Sequence, residues 1–215
     1  MVRVLPSLAS ANPMKLGEEI EKVKCFGHMH FDIEDGNFVP NITFGLKTVR
    51  RACELLGDTV KDAHLIVTNP EAYIDLFGEL GFAAVSFHWE AAPYPMRLIH
   101  RIRANGMKAG IALNPRTPVW EMEAYLPEID YILLMASEPD GAGELFEELT
   151  YGKLEYLREK KASCEIVVDG GVNRNNVFDV VRAGAGSVVM GRAVFQAEDP
   201  QRIKTFLETG DDMPK

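Results

Sequence analysis

Eight short runs rich in Val, Ile, Leu and Phe recur along the chain, separated by longer amphipathic stretches, and this alternation constrains the fold more than any other feature. The runs are Arg3 to Leu8, Met29 to Ile33, Val60 to Ile66, Ala84 to Phe87, Lys108 to Ala112, Tyr131 to Met135, Glu165 to Val168 and Ser187 to Met190. Between them lie helical patterns such as Leu16-Glu18-Glu19-Ile20-Lys22-Val23, with apolar residues three and four apart among charged ones. Gly27, Gly81, Gly106 and Gly184 stand where helices would end in a left-handed cap. Near-continuous hydrophobicity in each run predicts strands of a parallel sheet covered by helices. Eight such units, about 20 to 30 residues apart, predict closure into a single-domain (β/α)8 TIM barrel over residues 1–208, with 209–215 a frayed tail. An open doubly wound sheet usually carries a Gly-rich first βα turn. That turn here is Pro6-Ser7-Leu8-Ala9-Ser10-Ala11.

Composition narrows the function. The 215 residues carry a net charge of −9 and a pI near 5.1, which disfavours sequence-independent binding to nucleic acid. No apolar run approaches the roughly 20 residues that span a bilayer, so no membrane partner is expected. Cys25, Cys53 and Cys164 are odd in number and widely spaced, which argues against a disulfide framework and for a reducing, cytoplasmic compartment. The sequon Asn41-Ile42-Thr43 carries no weight without a secretory signal.

In a (β/α)8 barrel the chemistry collects at the C-terminal ends of the strands. The second run reads Met29-His30-Phe31-Asp32-Ile33, and alternation places His30 and Asp32 on one face. The third ends Asp62-Ala63-His64-Leu65 and the seventh Val168-Asp169-Gly170-Gly171. Each of these polar residues, taken singly, is the kind that folds use as a hydrogen-bonded core or capping group. Two imidazoles and two carboxylates on three strand ends form a set suited to one divalent cation, Zn, Mn, Fe or Co. Two buried carboxylates without such a partner would be costly.

A phosphate site is the second expectation, since barrels of the phosphate-binding type hold the anion with the loops after strands 7 and 8. Gly170 and Gly171 follow the seventh run and Gly191 and Arg192 the eighth. Glycines let backbone N–H groups approach an anion, and Arg192 adds charge. The loop after strand 6, Glu138-Pro139-Asp140-Gly141-Ala142-Gly143-Glu144, reads as a cover, although its acids suit an anion poorly.

At this level of detail the sequence resembles the ribulose-phosphate 3-epimerase family. The resemblance rests on Pro6-Ser7-Leu8-Ala9-Ser10-Ala11, His30-Phe31-Asp32-Ile33-Glu34-Asp35-Gly36-Asn37-Phe38-Val39-Pro40-Asn41, Asp62-Ala63-His64-Leu65, Leu113-Asn114-Pro115-Arg116-Thr117-Pro118 and Val168-Asp169-Gly170-Gly171-Val172, and it spans nearly the whole chain. It implies that His30, Asp32, His64 and Asp169 bind the metal, that Asp32 and Asp169 are also the two proton-transfer groups, and that Ser7 and His64 touch substrate. It further implies that Gly170, Gly171, Gly191 and Arg192 hold the sugar phosphate beneath a loop containing Gly141, Ala142 and Gly143. The implied reaction inverts C3 of a ketose phosphate, by default D-ribulose 5-phosphate to D-xylulose 5-phosphate, through a metal-stabilised enediolate and with no organic cofactor. A homo-oligomer is expected.

Some positions depart from the family. Glu34 and Ile66 stand where methionines are usual, Asn12 where an Asp is common, and the strand 6 loop is acidic. These leave the metal set intact but keep a related substrate such as D-allulose 6-phosphate open, and a non-catalytic phosphosugar-binding barrel beside it. Aldol cleavage or decarboxylation on the same scaffold would call for a lysine-containing Asp-x-Lys-x-x-Asp run at strand 3, where this chain has histidine. Of the remaining residues, His28 and His100 read as solvated in or beside helices and His88 as a strand-end residue near the pocket. Met135 and Met190 read as core, and Trp120 as packed.

Overall fold

A computed structural model of the chain describes residues 2–138 and 145–209. Eight parallel strands form one sheet: β1 (Arg3–Pro6), β2 (His28–Glu34), β3 (Val60–Ile66), β4 (Ala84–His88), β5 (Lys108–Leu113), β6 (Tyr131–Met135), β7 (Glu165–Asp169) and β8 (Ser187–Met190). Their order, β1-β8-β7-β6-β5-β4-β3-β2, is that of a barrel. A single parallel bridge between Ser7 and His30 joins the two end strands just past the end of β1. The main helices are α1 (Leu16–Val23), α2 (Leu46–Leu56), α3 (Ile74–Glu79), α4 (Pro95–Ala104), α5 (Leu149–Glu159), α6 (Val177–Ala183), α7 (Arg192–Phe195) and α8 (Pro200–Thr209). Between β5 and β6 the connection is instead 3-10, Val119–Glu128, with Pro127 inside it. No helix of the described residues is long and apolar enough to cross a membrane.

The strands coincide with the expected runs or shift by a residue or two at their ends. Gly27, Gly81, Gly106 and Gly184 all take positive φ. The three cysteines are unpaired. Helix α8 continues through Thr209, the first residue of the expected tail, and 210–215 lie outside the described residues.

Alternation sorts the barrel into two cores. Residues such as Phe31, Ala63, Phe87, Ile111 and Val188 face outward into the main core beneath the helices. Leu5, Ala112, Tyr131, Leu133, Met135, Val167 and Val189 form a second buried cluster. These belong to β1 and β5 to β8. Strands β2 to β4 carry buried His30, Asp32, Asp62, His64, Ser86 and His88 at the corresponding alternate positions. One part of the barrel is therefore packed with hydrocarbon and the other with a polar network. Gly110 on β5 shows how tight the apolar part is, because a Cβ there would lie 2.3 Å from the Tyr131 ring. Gly110→Ala is expected to destabilise the fold by about 1–3 kcal/mol through overpacking. A urea midpoint equal to that of the parent protein would refute this packing.

Met135 and Met190 are buried as expected, and His100 is exposed on α4. Trp120 corrects its expectation: it is 64% exposed, with its ring edge-to-face with Tyr156 at a centroid separation of 6.4 Å. It lies in the 3-10 segment, which turns it outward. His28 is corrected as well. It is the first residue of β2, not a helical residue, and its ring is largely buried against Asp62.

Candidate functional site

The ladder between β2 and β3 pairs His30 with Asp62 and Asp32 with His64, so four polar side chains occupy two alternate rungs on one face, with the Phe31–Ala63 rung between them facing the other way. Asp169 ends β7. His30 Nε2 lies 3.1 Å from Asp32 Oδ1 and 3.6 Å from Asp169 Oδ2. His64 Nδ1 lies 3.1 Å from the same Asp32 oxygen and 3.4 Å from the same Asp169 oxygen. One ligand atom from each of the four residues falls within 4.8 Å of the others. The barrel thus brings together the four side chains that the strand ends proposed, although β2 and β7 are far apart in sequence.

The outer atoms of these groups are also held. Asp62 accepts from both neighbouring imidazoles, at 2.6 Å from His30 Nδ1 and 2.6 Å from His28 Nε2. With the His30 Nδ1 proton committed to Asp62, the Nε2 lone pair points at the cluster, the arrangement that metal-binding imidazoles use. Ser7 donates its hydroxyl to Asp32 Oδ2 at 2.5 Å. Thr43 donates to the Asp32 carbonyl oxygen at 2.6 Å and accepts from the Glu34 N–H, tying the loop after β2 back onto the strand.

Electrostatics follow from burial in a shared network. Burial pushes His30 toward its neutral form, but Asp62 and Asp32 outweigh it and hold its pKa well above the usual imidazole value. For His64 burial acts the same way and is outweighed by Asp169 and Asp32. Burial alone would raise Asp32, yet His30 and His64 hold it well below the carboxylate range. The cluster thus demands positive charge beside its carboxylates. Two imidazole nitrogens and two carboxylate oxygens brought within reach of one point fit one divalent cation, which supplies that charge with the imidazoles neutral.

Above the cluster opens a cavity of about 720 Å³. Ser7, Asp32, Asp169, Gly170, Gly171, Gly191 and Arg192 all line it, so the expected phosphate residues and the expected proton-transfer residues share one space. His30 and His64 are fully buried beneath it. At Gly170 and Gly171, with φ of +104° and +64°, a Cβ would fall 2.3 Å from Ser137 Oγ and 2.6 Å from the Phe146 backbone nitrogen. Only glycine lets this loop pass so close to the strand 6 connection. Gly141, Ala142 and Gly143 lie outside the described residues.

Glu34 lies on the same face of β2 as Asp32, lines the cavity and is held by Asn41 Nδ2 at 2.6 Å. Burial, aided by the nearby Asp32 charge, raises its pKa to about 7. His88 is fully buried, with its Nε2 2.9 Å from His64 Nε2, so it backs the cluster and does not face the cavity. Sequence reasoning assigned no role to Asp62 or to Glu90, which accepts near His88 Nδ1. Alternation was the available signal: Asp62 stands two residues before His64, as His28 stands two before His30.

The sequence model of the ribulose-phosphate 3 epimerase family matches residues 3–195. Among curated proteins, the ribulose-phosphate 3-epimerase of Bacillus subtilis is 38% identical over 209 residues, covering 94% of this chain and 96% of that protein. The ribulose-phosphate 3-epimerase of Synechocystis is 41% identical, over 90% and 87% of the two chains. The chloroplastic ribulose-5-phosphate-3-epimerase of Arabidopsis thaliana is 39% identical, over 91% and 72%. Among solved structures, the tryptophan synthase A-subunit of Pyrococcus furiosus superposes with a TM-score of 0.70 at 15% identity, over 96% of each chain, a likeness of fold alone.

Proposed function

Given that the chain belongs to the ribulose-phosphate 3-epimerase family, we propose that it interconverts D-ribulose 5-phosphate and D-xylulose 5-phosphate by inverting C3. The observation that carries this reading is the convergence of Asp32 and Asp169 on one pair of imidazoles at the floor of a cavity lined by the strand 7 and strand 8 glycines. His30, Asp32, His64 and Asp169 would hold a divalent cation, which supplies positive charge against the negative charge that builds up beside C3 as its proton leaves.

Inversion needs a group on each side of the carbon, and Asp32 from β2 and Asp169 from β7 supply them. One carboxylate removes the C3 proton while the other, protonated, returns one from the opposite face. The reaction is reversible, so each group is the base in one direction and the acid in the other. The turnover therefore starts with one of the two carboxylates ionised and the other protonated. Ser7, donating to Asp32, fixes the plane of that carboxylate. The sugar phosphate is held by Gly170, Gly171, Gly191 and Arg192, which keeps C3 over the carboxylates. We place the enzyme in the cytoplasm, where its free cysteines stay reduced, and expect a symmetric homo-oligomer, the common state of soluble oligomeric enzymes.

The test is solvent-deuterium incorporation at C3, followed by NMR, for five- and six-carbon ketose phosphates side by side in the metal-loaded protein. Exchange and epimerisation are expected for the five-carbon pair. Exchange confined to D-allulose 6-phosphate would overturn the substrate assignment, and no exchange with any ketose phosphate would overturn the catalytic reading.

A further inference from the structure

Behind His64 runs a chain of hydrogen bonds that the reaction itself does not use. His64 Nε2 faces His88 Nε2 at 2.9 Å. His88 Nδ1 faces Glu90 Oε2 at 3.2 Å. Glu90 Oε1 accepts the backbone N–H of Asn114 at 2.9 Å and the hydroxyl of Thr117. Both imidazoles are fully buried, and the Phe38 ring lies over His88 with centroids 4.7 Å apart. His88 ends β4, Glu90 sits in the turn after it, and Asn114 and Thr117 lie in the loop after β5.

Two imidazole nitrogens at hydrogen-bond distance impose a choice, because one must carry the proton and the other must be bare. If His64 donates, its Nδ1 is bare and aims a lone pair at Asp32 and Asp169. If His88 donates, His64 carries its proton on Nδ1, inside the cluster, and has no lone pair to offer there. The second arrangement also leaves a bare His88 Nδ1 against the Glu90 carboxylate, acceptor against acceptor. Glu90 therefore decides the matter.

We propose that Glu90 and His88 are positioning residues that fix the tautomer of His64, so that its Nδ1 is the atom offered to the metal. This rests on the metal-centre reading of the four-residue cluster. It treats the strand 4 histidine and glutamate as a relay whose effect is felt on β3. Asp62 does for His30 with one residue what Glu90 does for His64 through an intermediary.

Glu90→Gln tests the relay because its outcome is forced by backbone chemistry. The Asn114 N–H can only donate, so the glutamine oxygen must stay at the Oε1 position and its amide NH2 must turn toward His88 Nδ1. His88 then donates from Nε2, and the proton of His64 moves to Nδ1. Zinc affinity, measured by competition with a chromophoric chelator, is expected to fall about 10- to 100-fold in Glu90→Gln. In the zinc-loaded parent protein, 15N NMR of labelled histidine should show His88 protonated at Nδ1 and bare at Nε2. This second measurement needs no variant and stands even if Glu90→Gln fails to fold. A zinc affinity within about twofold of the parent's, against the change expected for an outer partner, overturns the relay. So does a parent spectrum with the His88 proton on Nε2. Failure of the parent protein to bind zinc through His64 at all overturns the metal-centre reading, and the relay with it.

Discussion

Replacing Asp32 or Asp169 by asparagine is expected to lower kcat by at least about 1,000-fold, the loss that follows when a proton-transfer group becomes unable to accept a proton. Asparagine keeps the volume and much of the hydrogen bonding but is a weaker metal ligand, so kcat is compared with each variant saturated with metal, which leaves the lost basicity as the difference. The magnitude is diagnostic. Losing the Ser7 hydrogen bond to Asp32 alone would cost about 0.5–1.5 kcal/mol, roughly a 2- to 13-fold effect. A 1,000-fold loss corresponds to about 4 kcal/mol and cannot come from that contact. The isotope pattern is sharper still. Each variant should lose solvent-deuterium exchange starting from one epimer and keep a slowed exchange starting from the other, with the two variants complementary. Removing both groups should cost little more than removing one, because they act as a unit. Exchange at the parent rate in both variants is the result that removes the two-base assignment.

Stripping the divalent cation is expected to abolish turnover and lower thermal stability together, with both restored on adding the metal back. At a free metal concentration about 1,000 times Kd, binding to the folded state alone contributes about 4 kcal/mol. For a chain of this size that corresponds to roughly 8–16 °C in Tm. Because Asp62, Asp32 and Asp169 raise the pKa values of His30 and His64, protons compete with the cation for both imidazoles. Proton binding is favoured below those raised values, so metal affinity should rise with pH and level off once both rings are neutral. Scanning calorimetry with and without metal, repeated across pH, checks both parts. An unchanged Tm on complete metal removal would contradict a cation at the centre of the cluster.

The barrel was legible because its signal is repetitive: each buried parallel strand must be apolar on both faces, so every run announces itself. His30, Asp32, His64 and Asp169 were legible because they break that rule at the ends of their strands. The supporting shell was harder to read. Asp62 obeys the same alternation as His64 but lies further from the strand end, where a polar residue reads as a packing exception, and His28 precedes the apolar run that begins at Met29 and so reads as solvated. The relay from Glu90 to His64 depends on β4 lying beside β3 with His88 two residues beyond Ser86, the rung partner of His64, and on a turn that places a carboxylate against His88; neither is encoded in local spacing. Trp120 misled for the opposite reason, since helical periodicity predicts burial only when the segment winds as an α-helix, and this one is 3-10.

The most direct test is a crystal of the metal-loaded protein examined by anomalous scattering at the absorption edge of the bound ion. The account predicts one strong peak bonded to His30 Nε2, His64 Nδ1 and a carboxylate oxygen each from Asp32 and Asp169, at about 2.0–2.2 Å as for zinc. A peak elsewhere on the chain, or none between those four side chains at saturating metal, would contradict it.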